Sequence, residues 1–396
     1  MDKTAHFITG RTLAANGDAR EDDDELCMQA QGLMFGYNVS MVLGAAIQLG
    51  LLDALVDAAD GNAAVTAAEL TERIQQLAAG PPPPRRTKPV WLSRWTGFSG
   101  NGPGLWAPKL ALNVVRCSTE TGPDGTAVRR YMAAPLCRWV AGNNGVQGSL
   151  SPFAVYLVDE DHLLPWHHLL AAAVAGGGPT TAFERAHGLP YYDYMARKNQ
   201  RLSALFDNAM AQHSVILVTK MLERFKGFDG VRRLVDAGGG TGSTLGMITS
   251  RHKHITGINY DLPHVISQAL PFPGVEHVAG NMYESAYPLE MQFFCKYWIL
   301  LMLSDEDCIR ILKNCHQALP EDGRKVIIVD GLLPEHPDTT QAARDSFTQD
   351  MCVLTQFGGK QRTEKELAKL AKECGFNGVV RSTYIFLNFY AIELSK

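Results

Sequence analysis

An α/β fold organised on a doubly wound parallel sheet is what this sequence predicts, and three observations predict it. The first is Leu234-Val235-Asp236-Ala237-Gly238-Gly239-Gly240-Thr241-Gly242-Ser243, an apolar run into an acid and a glycine-dense turn, followed by a helical pattern at Leu245, Met247 and Ile248. The second is a further apolar run, Ile255 to Tyr260, closing on Asp261, an acid placed to accept hydrogen bonds from ribose hydroxyls. The third is the regular alternation of strand and helix patterns beyond residue 230, the spacing of βαβ units.

Taken in order, residues 1–25 are polar and end in the acidic run Arg20 to Glu25, which reads as a disordered arm. From Leu26 apolar residues return at helical spacing (Ala30, Leu33, Met34, Tyr37, Met41), and Val42 to Ala58 is apolar nearly all round, as in a core helix or a subunit interface. Thr66-Ala67-Ala68-Glu69 is a capping box opening a helix to about Leu77. Residues 80–108 hold Pro81 to Pro84, Trp91, Trp95, Trp106 and a Gly/Pro cluster without sustained period, which reads as a loop or disordered insertion. Leu110, Leu112, Val114 and Val115, with the turn Gly122-Pro123-Asp124-Gly125, predict a hairpin or wing.

Helices and turns are expected over most of 135–225, ending in the amphipathic stretch Ala204 to Arg224. After it come strand 232–236, a helix to 250, strand 255–260, helix Val265 to Ala269, and strands near 275–279 and 292–299. Helix Asp305 to Leu319, strand Lys325 to Val329 and a terminal antiparallel hairpin within Thr383 to Leu394 complete the reading. Ligands of such sheets lie beyond the carboxyl ends of the strands, where Gly238 and Asp261 fall.

The glycine spacing selects the ligand. A dinucleotide fingerprint wants a third glycine where Ser243 stands, whereas glycines at 238, 240 and 242 suit a nucleoside without a pyrophosphate, such as S-adenosylmethionine. Composition sets the outer limits. With 396 residues, 46% of them hydrophobic, the chain has enough for two domains, and a formal charge of −4 gives no electrostatic case for nucleic acid. No run of eighteen apolar residues or signal peptide is visible, so a soluble, cytoplasmic protein with no membrane partner is expected. The eight cysteines form no CxxC pair and no His/Cys cluster, so no metal site is expected.

The chain resembles the plant small-molecule O-methyltransferases of the caffeic acid type. The resemblance rests on Val235 to Gly242, Tyr260-Asp261-Leu262-Pro263-His264-Val265, Pro273 to Val278, Ser304-Asp305-Glu306-Asp307-Cys308, Leu312-Lys313-Asn314-Cys315 and Gly358-Gly359-Lys360-Gln361-Arg362-Thr363, in order over residues 135–396. It implies a Rossmann-like class I methyltransferase domain over 135–396 and a mainly helical, winged-helix-like dimerisation domain over 26–134, interrupted by the insertion 80–108. The implied partners are a small aromatic acceptor and a second subunit, of the same chain or of a relative.

For the cofactor S-adenosylmethionine, the resemblance implies Gly238 and Gly240 in the loop, Asp261 on the ribose, and Asn281, Met282 and Lys296 around the adenine. Asn281 stands where the family has an aspartate, and the lysine register leaves Lys296 or Tyr297 open. For catalysis it implies a histidine base, for which this chain has Leu301, with Met302 and Leu303 replacing its polar and aromatic neighbours. The two acids that orient the base correspond to Asp330 and Gln361. A phenol has a pKa of about 10, and a positioned base contributes roughly a hundred- to ten-thousand-fold, so phenol methylation is expected to be impaired. Two other outcomes stay open: a non-catalytic binder or partner subunit, and a pocket turned to chemistry other than methyl transfer. Asp330 is the remaining candidate acid. Among other candidate groups, His162, His167, His168 and His187 read as structural or surface histidines, His316 as solvent-facing, and Asp159-Glu160-Asp161 as a solvated turn.

Overall fold

The computed structural model describes residues 27, 31, 36–58, 64–78, 114–122, 124–142, 148–169, 180–284, 292–295, 298–320 and 325–396. The expected arm at 1–25, the segment 80–108 and the hairpin's first residues at 110 and 112 lie outside the described residues.

The N-terminal part begins with helices Gly36–Gln48 and Leu51–Val56. Leu51, Leu52 and Leu55 bury themselves with Val65, Leu70 and Tyr131, while Tyr37, Val39 and Met41 stay exposed on the first helix. The capping box forms as expected. The Glu69 amide donates to Thr66 Oγ1 at 3.3 Å and Glu69 Oε2 accepts from the Thr66 amide at 2.7 Å, opening helix Ala67–Ala78. Strands β1 (Val65–Thr66), β2 (Val115–Thr121) and β3 (Ala127–Ala133) make an antiparallel sheet in the order β1-β3-β2.

A helical layer follows: Cys137–Val140, Ser151–Leu157, Glu160–Leu163, a 3₁₀ turn Leu164–His168, then Ala182–His187, Tyr191–Arg197 and the long Gln200–Arg224. One expectation fails here. Glu160 is exposed, but the side chains of Asp159 and Asp161 are largely covered; both pair with Arg201, Asp161 at 2.8 Å, and Asp161 also accepts from Asn199 Nδ2 at 2.6 Å. The arginine fork bridges the two carboxylates and ties the Glu160–Leu163 turn to the long helix.

The large sheet contains β4 (Arg233–Ala237), β5 (Thr256–Asp261), β6 (Val275–Ala279), β7 (Gln292–Cys295), β8 (Lys325–Leu333), β9 (Arg362–Thr363), β10 (Arg381–Phe386) and β11 (Phe389–Ser395). Its order is β10-β11-β8-β7-β4-β5-β6, parallel from β8 to β6 and antiparallel at β11 and β10, with β9 pairing parallel to the end of β8. Helices Ser243–Arg251, Pro263–Ile266, Asp305–Ala318, Gln341–Phe357 and Glu364–Glu373 lie between the strands in sequence. Strand side chains alternate faces with period two: Val235, Val326 and Ile328 enter one core, Leu234, Ile327 and Val329 the other. The strand order reverses between β4 and β7, the point at which open α/β sheets take their ligands.

Two boundaries differ from expectation. The strand expected over 292–299 ends at Cys295, and the chain passes through Trp298 with φ of +65° into the 3₁₀ turn Leu300–Met302. β8 runs on to Leu333, which places Asp330 inside the strand instead of beyond it. Its added length is paid by β11, whose Phe389 and Tyr390 pair with Gly331 and Asp330.

Candidate functional site

The loop after β4 takes the conformation its glycines permit. Gly238, Gly240 and Gly242 have φ of +73°, +62° and +83°, a region closed to most side chains. A Cβ at Gly238 would stand 2.6 Å from Ile299 Cδ1 and 3.5 Å from Met282 Sδ. Thus the loop after β4, the segment after β7 and the turn after β6 converge on one point. Asp261 ends β5 with its carboxylate fixed: Gly240 donates to Oδ2 at 2.8 Å and Leu262 to Oδ1 at 2.7 Å. A carboxylate has about four lone-pair sites, so acceptor capacity remains beside the glycine loop.

The loop has a support that the sequence reading missed. Asn259, wholly buried two residues before Asp261, donates from Nδ2 to the Gly240 carbonyl at 2.9 Å and approaches His277 Nδ1 at 3.1 Å. A polar amide inside an apolar strand was its visible signal. Asn281 is tied into a local turn, its Oδ1 accepting from the Tyr283 amide and its Nδ2 donating to Glu284, both at 3.0 Å. Asn314 Nδ2 holds the Met282 carbonyl at 2.9 Å. Lys296 and Tyr297 lie outside the described residues.

At the reacting end, the turn Leu300–Met302 is built from below. Arg362, itself buried, donates to the carbonyls of Leu300 at 2.8 Å and Leu303 at 2.9 Å and pairs with Asp305. Gly359 lets the backbones meet: a Cβ there would be 2.3 Å from the Leu301 carbonyl oxygen. Leu301 is 1% exposed and packs with Ile327, Val329, Val353 and Phe389. The apolar floor expected from Leu301, Met302 and Leu303 is therefore split. Met302 faces the adjoining cavity, Leu301 is core beneath it, and Leu303 packs against the opposite core.

Asp330 is buried beside this turn, accepting the Gly331 amide at 2.9 Å. Burial pushes its carboxyl up to about 7, against the opposing pull of the Gly331 and Leu301 amides and the Arg362 charge. Gln361 is occupied elsewhere. Its Nε2 donates to Gln349 Oε1 at 2.5 Å, and Asn388 Nδ2 donates to the same oxygen at 2.9 Å, a neutral amide group packed over Gly331.

Next to the turn lies a narrow cavity walled by the rings of Phe153, Phe206, Trp298 and Phe357 and the thioethers of Met210 and Met302. Tyr156, Cys352 and the unpartnered indole N–H of Trp298 add its polar atoms, the Tyr156 hydroxyl being bonded to that of Tyr191. Most of these residues carried no sequence signal, because they come from three separated helices and the post-β7 segment. The Tyr192 hydroxyl donates to Met302 Sδ at 3.4 Å across the cavity's edge. Of the candidate histidines, His162 is buried behind Cys352, and His187 Nε2 is 2.8 Å from the Asp161 carbonyl oxygen. His316, expected to face solvent, is partly buried, its ring packing edge-on against Phe376 with 5.0 Å between centroids. His213, which the sequence reading passed over, is buried among Phe153, Trp298 and Phe389.

Family comparison decides what this arrangement belongs to. Residues 166–377 match the O-methyltransferase domain model and residues 31–92 the O-methyltransferase dimerisation domain model. This chain belongs to the O-methyltransferase family. It is 58% identical to 3-aminomethylindole N-methyltransferase of Hordeum vulgare subsp. vulgare, with all of both chains covered. It is 51% identical to a probable inactive methyltransferase of Oryza sativa subsp. japonica, covering 98% of this chain and 97% of that one. To caffeic acid 3-O-methyltransferase of Zea mays the identity is 41%, covering 94% and 97%. Among solved structures, human N-acetylserotonin methyltransferase in complex with SAM superposes with a TM-score of 0.72 at 17% identity over 98% of this chain and 99% of that one. A methyltransferase of calicheamicin biosynthesis, in its SAH-bound form, gives 0.71 at 21% identity over 94% and 98%.

The resemblance read from the motifs is the family that the comparisons return, and its fold is the one observed, an α/β class I methyltransferase sheet with an N-terminal dimerisation domain. S-adenosylmethionine is the cofactor of this family. The residues present fit it: positive-φ glycines that leave bare backbone, and a strand-end carboxylate fixed beside them. Among the described residues no helix is long and apolar enough to cross a membrane.

Proposed function

We propose that this family member transfers a methyl group from S-adenosylmethionine to the nitrogen of a small aromatic amine. The observation that carries the reading is the apolar cavity whose adjoining turn offers the buried Leu301 where a proton-abstracting base is expected. Desolvation there favours neutral forms, and its consequence differs in sign between nucleophiles. A neutral phenol is unreactive, and an apolar cavity raises the cost of ionising it. An alkylamine, with an aqueous pKa of about 10 like that of lysine, loses its proton on entering and becomes the nucleophile. The name borne by the barley relative, an N-methyltransferase of an aminomethylindole, supports the same acceptor class. Phenols are the slower class of acceptor.

Gly238, Gly240 and Asp261 would hold the cofactor at its methionine and ribose ends, with Asn281, Met282 and either Lys296 or Tyr297 around the adenine. When bound, the cofactor supplies a methyl group on a sulfonium that departs as a neutral thioether. The aromatic walls orient the acceptor and exclude water. Asp330, with a pKa of about 7, is the acid assigned to hold the proton that the methylated amine gives up. The dimerisation domain, together with Tyr37, Val39 and Met41 exposed on the first helix, supports a dimer with a second copy or a relative. The free cysteines among the described residues support a reducing, cytoplasmic setting.

The test is methyl incorporation from labelled S-adenosylmethionine across aromatic alkylamines, phenols and thiols. Amines should be methylated well above phenols. Cofactor binding by calorimetry without turnover of any acceptor would instead favour a non-catalytic binder, a second reading supported by the rice relative described as probably inactive.

A further inference from the structure

The cavity wall is hydrocarbon and aromatic apart from three polar groups: the Tyr156 hydroxyl is already engaged by Tyr191, and the Trp298 indole N–H, buried without a hydrogen-bond partner, is fixed in a rigid ring. The third, and the one whose proton can turn, is the thiol of Cys352, midway along helix Gln341–Phe357, whose Sγ lies 3.6 Å from His162 Nε2. His162 is held firmly: it is 2% exposed, its ring packs edge-on against Tyr156 at 4.5 Å, and its backbone carbonyl accepts from Gln356 Nε2 at 3.0 Å. Its Nδ1 is buried without a hydrogen-bond partner. Burial pushes the Cys352 thiol up to about 12 and the His162 imidazole down to about 4. Near neutrality the pair is thus a thiol and a neutral imidazole, which excludes a thiolate nucleophile.

A neutral imidazole has one N–H and one lone pair, and a buried orphan N–H is rarer than an under-satisfied acceptor. That preference puts the proton on Nε2, donating to Sγ, and leaves the lone pair on Nδ1. Sulfur then has its own S–H free to turn into the cavity.

We propose that Cys352, oriented by His162, is a specificity-determining residue that reads the acceptor's ring by directing its thiol proton at an electron-rich aromatic face. The inference rests on the aromatic-amine reading and deepens it: the preferred acceptor carries an electron-rich ring such as an indole, ahead of a phenyl and far ahead of a perfluorinated phenyl. Contacts between sulfur and aromatic rings are weak individually, so the expected discrimination is about 2- to 10-fold.

The experiment measures binding of indolyl-, phenyl- and pentafluorophenyl-methylamines to the full chain by calorimetry with S-adenosylhomocysteine present, alongside KM and kcat. Wild type should rank the rings by electron richness. Cys352→Ala should flatten that ranking and raise KM for the indolyl amine about 2- to 10-fold, with kcat nearly unchanged. Cys352→Ser, which keeps a donor, should preserve the ranking. His162→Phe should weaken it with the thiol still present, and S-adenosylhomocysteine affinity should stay constant in all three variants as the check on folding. A ranking that survives Cys352→Ala, or an equal loss for all three rings, overturns the proposal. Ranked binding without methylation of any amine would overturn the catalytic reading while leaving Cys352 as the reader of the ring.

Discussion

Asp330 is the residue whose ionisation most directly reports on the site. Its folded pKa of about 7 lies above the ordinary aspartate value because burial disfavours the carboxylate. Between about pH 4 and 7 the folded state therefore holds a proton that the unfolded state has released, so the group's contribution to stability falls as pH rises and is flat above 7. Asp330→Asn should gain on wild type by on the order of 1 kcal/mol per pH unit between pH 5 and 7. Urea unfolding at several pH values checks this, and a gap that does not change would show an aspartate ionising normally. The same variant should lower kcat for an amine acceptor by roughly tenfold or more if Asp330 takes the proton.

Gly238 gives a second test at this scale. Alanine there would meet Ile299 at 2.6 Å in a backbone conformation with φ of +73°. The left-handed conformation alone costs about 1–2 kcal/mol, so Gly238→Ala should weaken S-adenosylmethionine binding at least about tenfold by calorimetry, or shift the melting temperature if the loop yields instead. Unaltered affinity and stability would mean the cradle lies elsewhere.

Among the elements, the turn Leu300–Met302 is the one held from most sides. Arg362 bonds the carbonyls at and after it, Gly359 passes its backbone against it, and Leu301 anchors it in the core. Gly359→Ala needs the two backbones to separate, which overpacking data put at about 1–3 kcal/mol. The expected outcome is a lower unfolding midpoint and a raised KM for the acceptor, through Met302, with cofactor affinity preserved; a loss confined to the cofactor would contradict this placement. These supports were only partly legible. Arg362 and Gly359 stood in a recognised motif, yet nothing in their spacing says that they reach back some sixty residues to one turn. Helix Gln341–Phe357 was missed altogether, although Thr340 caps its start and Gly358 closes it at φ of +72°, because its mixed polar and apolar faces give a weak period.

For the whole molecule, two buried neutral histidines set the acid limit. His162 and His213 are both lowered to about 4 by burial. The unfolded chain takes up those protons as pH falls below about 6.5 while the folded chain does not, so each contributes stability that is lost between about 6.5 and 4, on the order of 1 kcal/mol per unit. Asp330 works the other way over the same range, and the two histidines outweigh it. His213→Phe should therefore flatten the fall in melting temperature between pH 6.5 and 4.5, measured against the wild type. An unchanged slope would assign acid sensitivity to other groups.

By itself the sequence determined the parallel sheet, the glycine loop and the strand-end Asp261, because period-two apolar runs and glycine-dense turns are local signals written in consecutive residues. It also determined, through ordered motifs, the family and its cofactor. The tertiary structure decided what surrounds the reacting end: Asp330 inside a longer β8, Leu301 in the core instead of facing the cavity, and Cys352 with His162 on its wall. Those side chains meet across as many as 190 positions of the chain. Burial and hydrogen bonding, which set their ionisation, exist only once distant helices and strands have packed together.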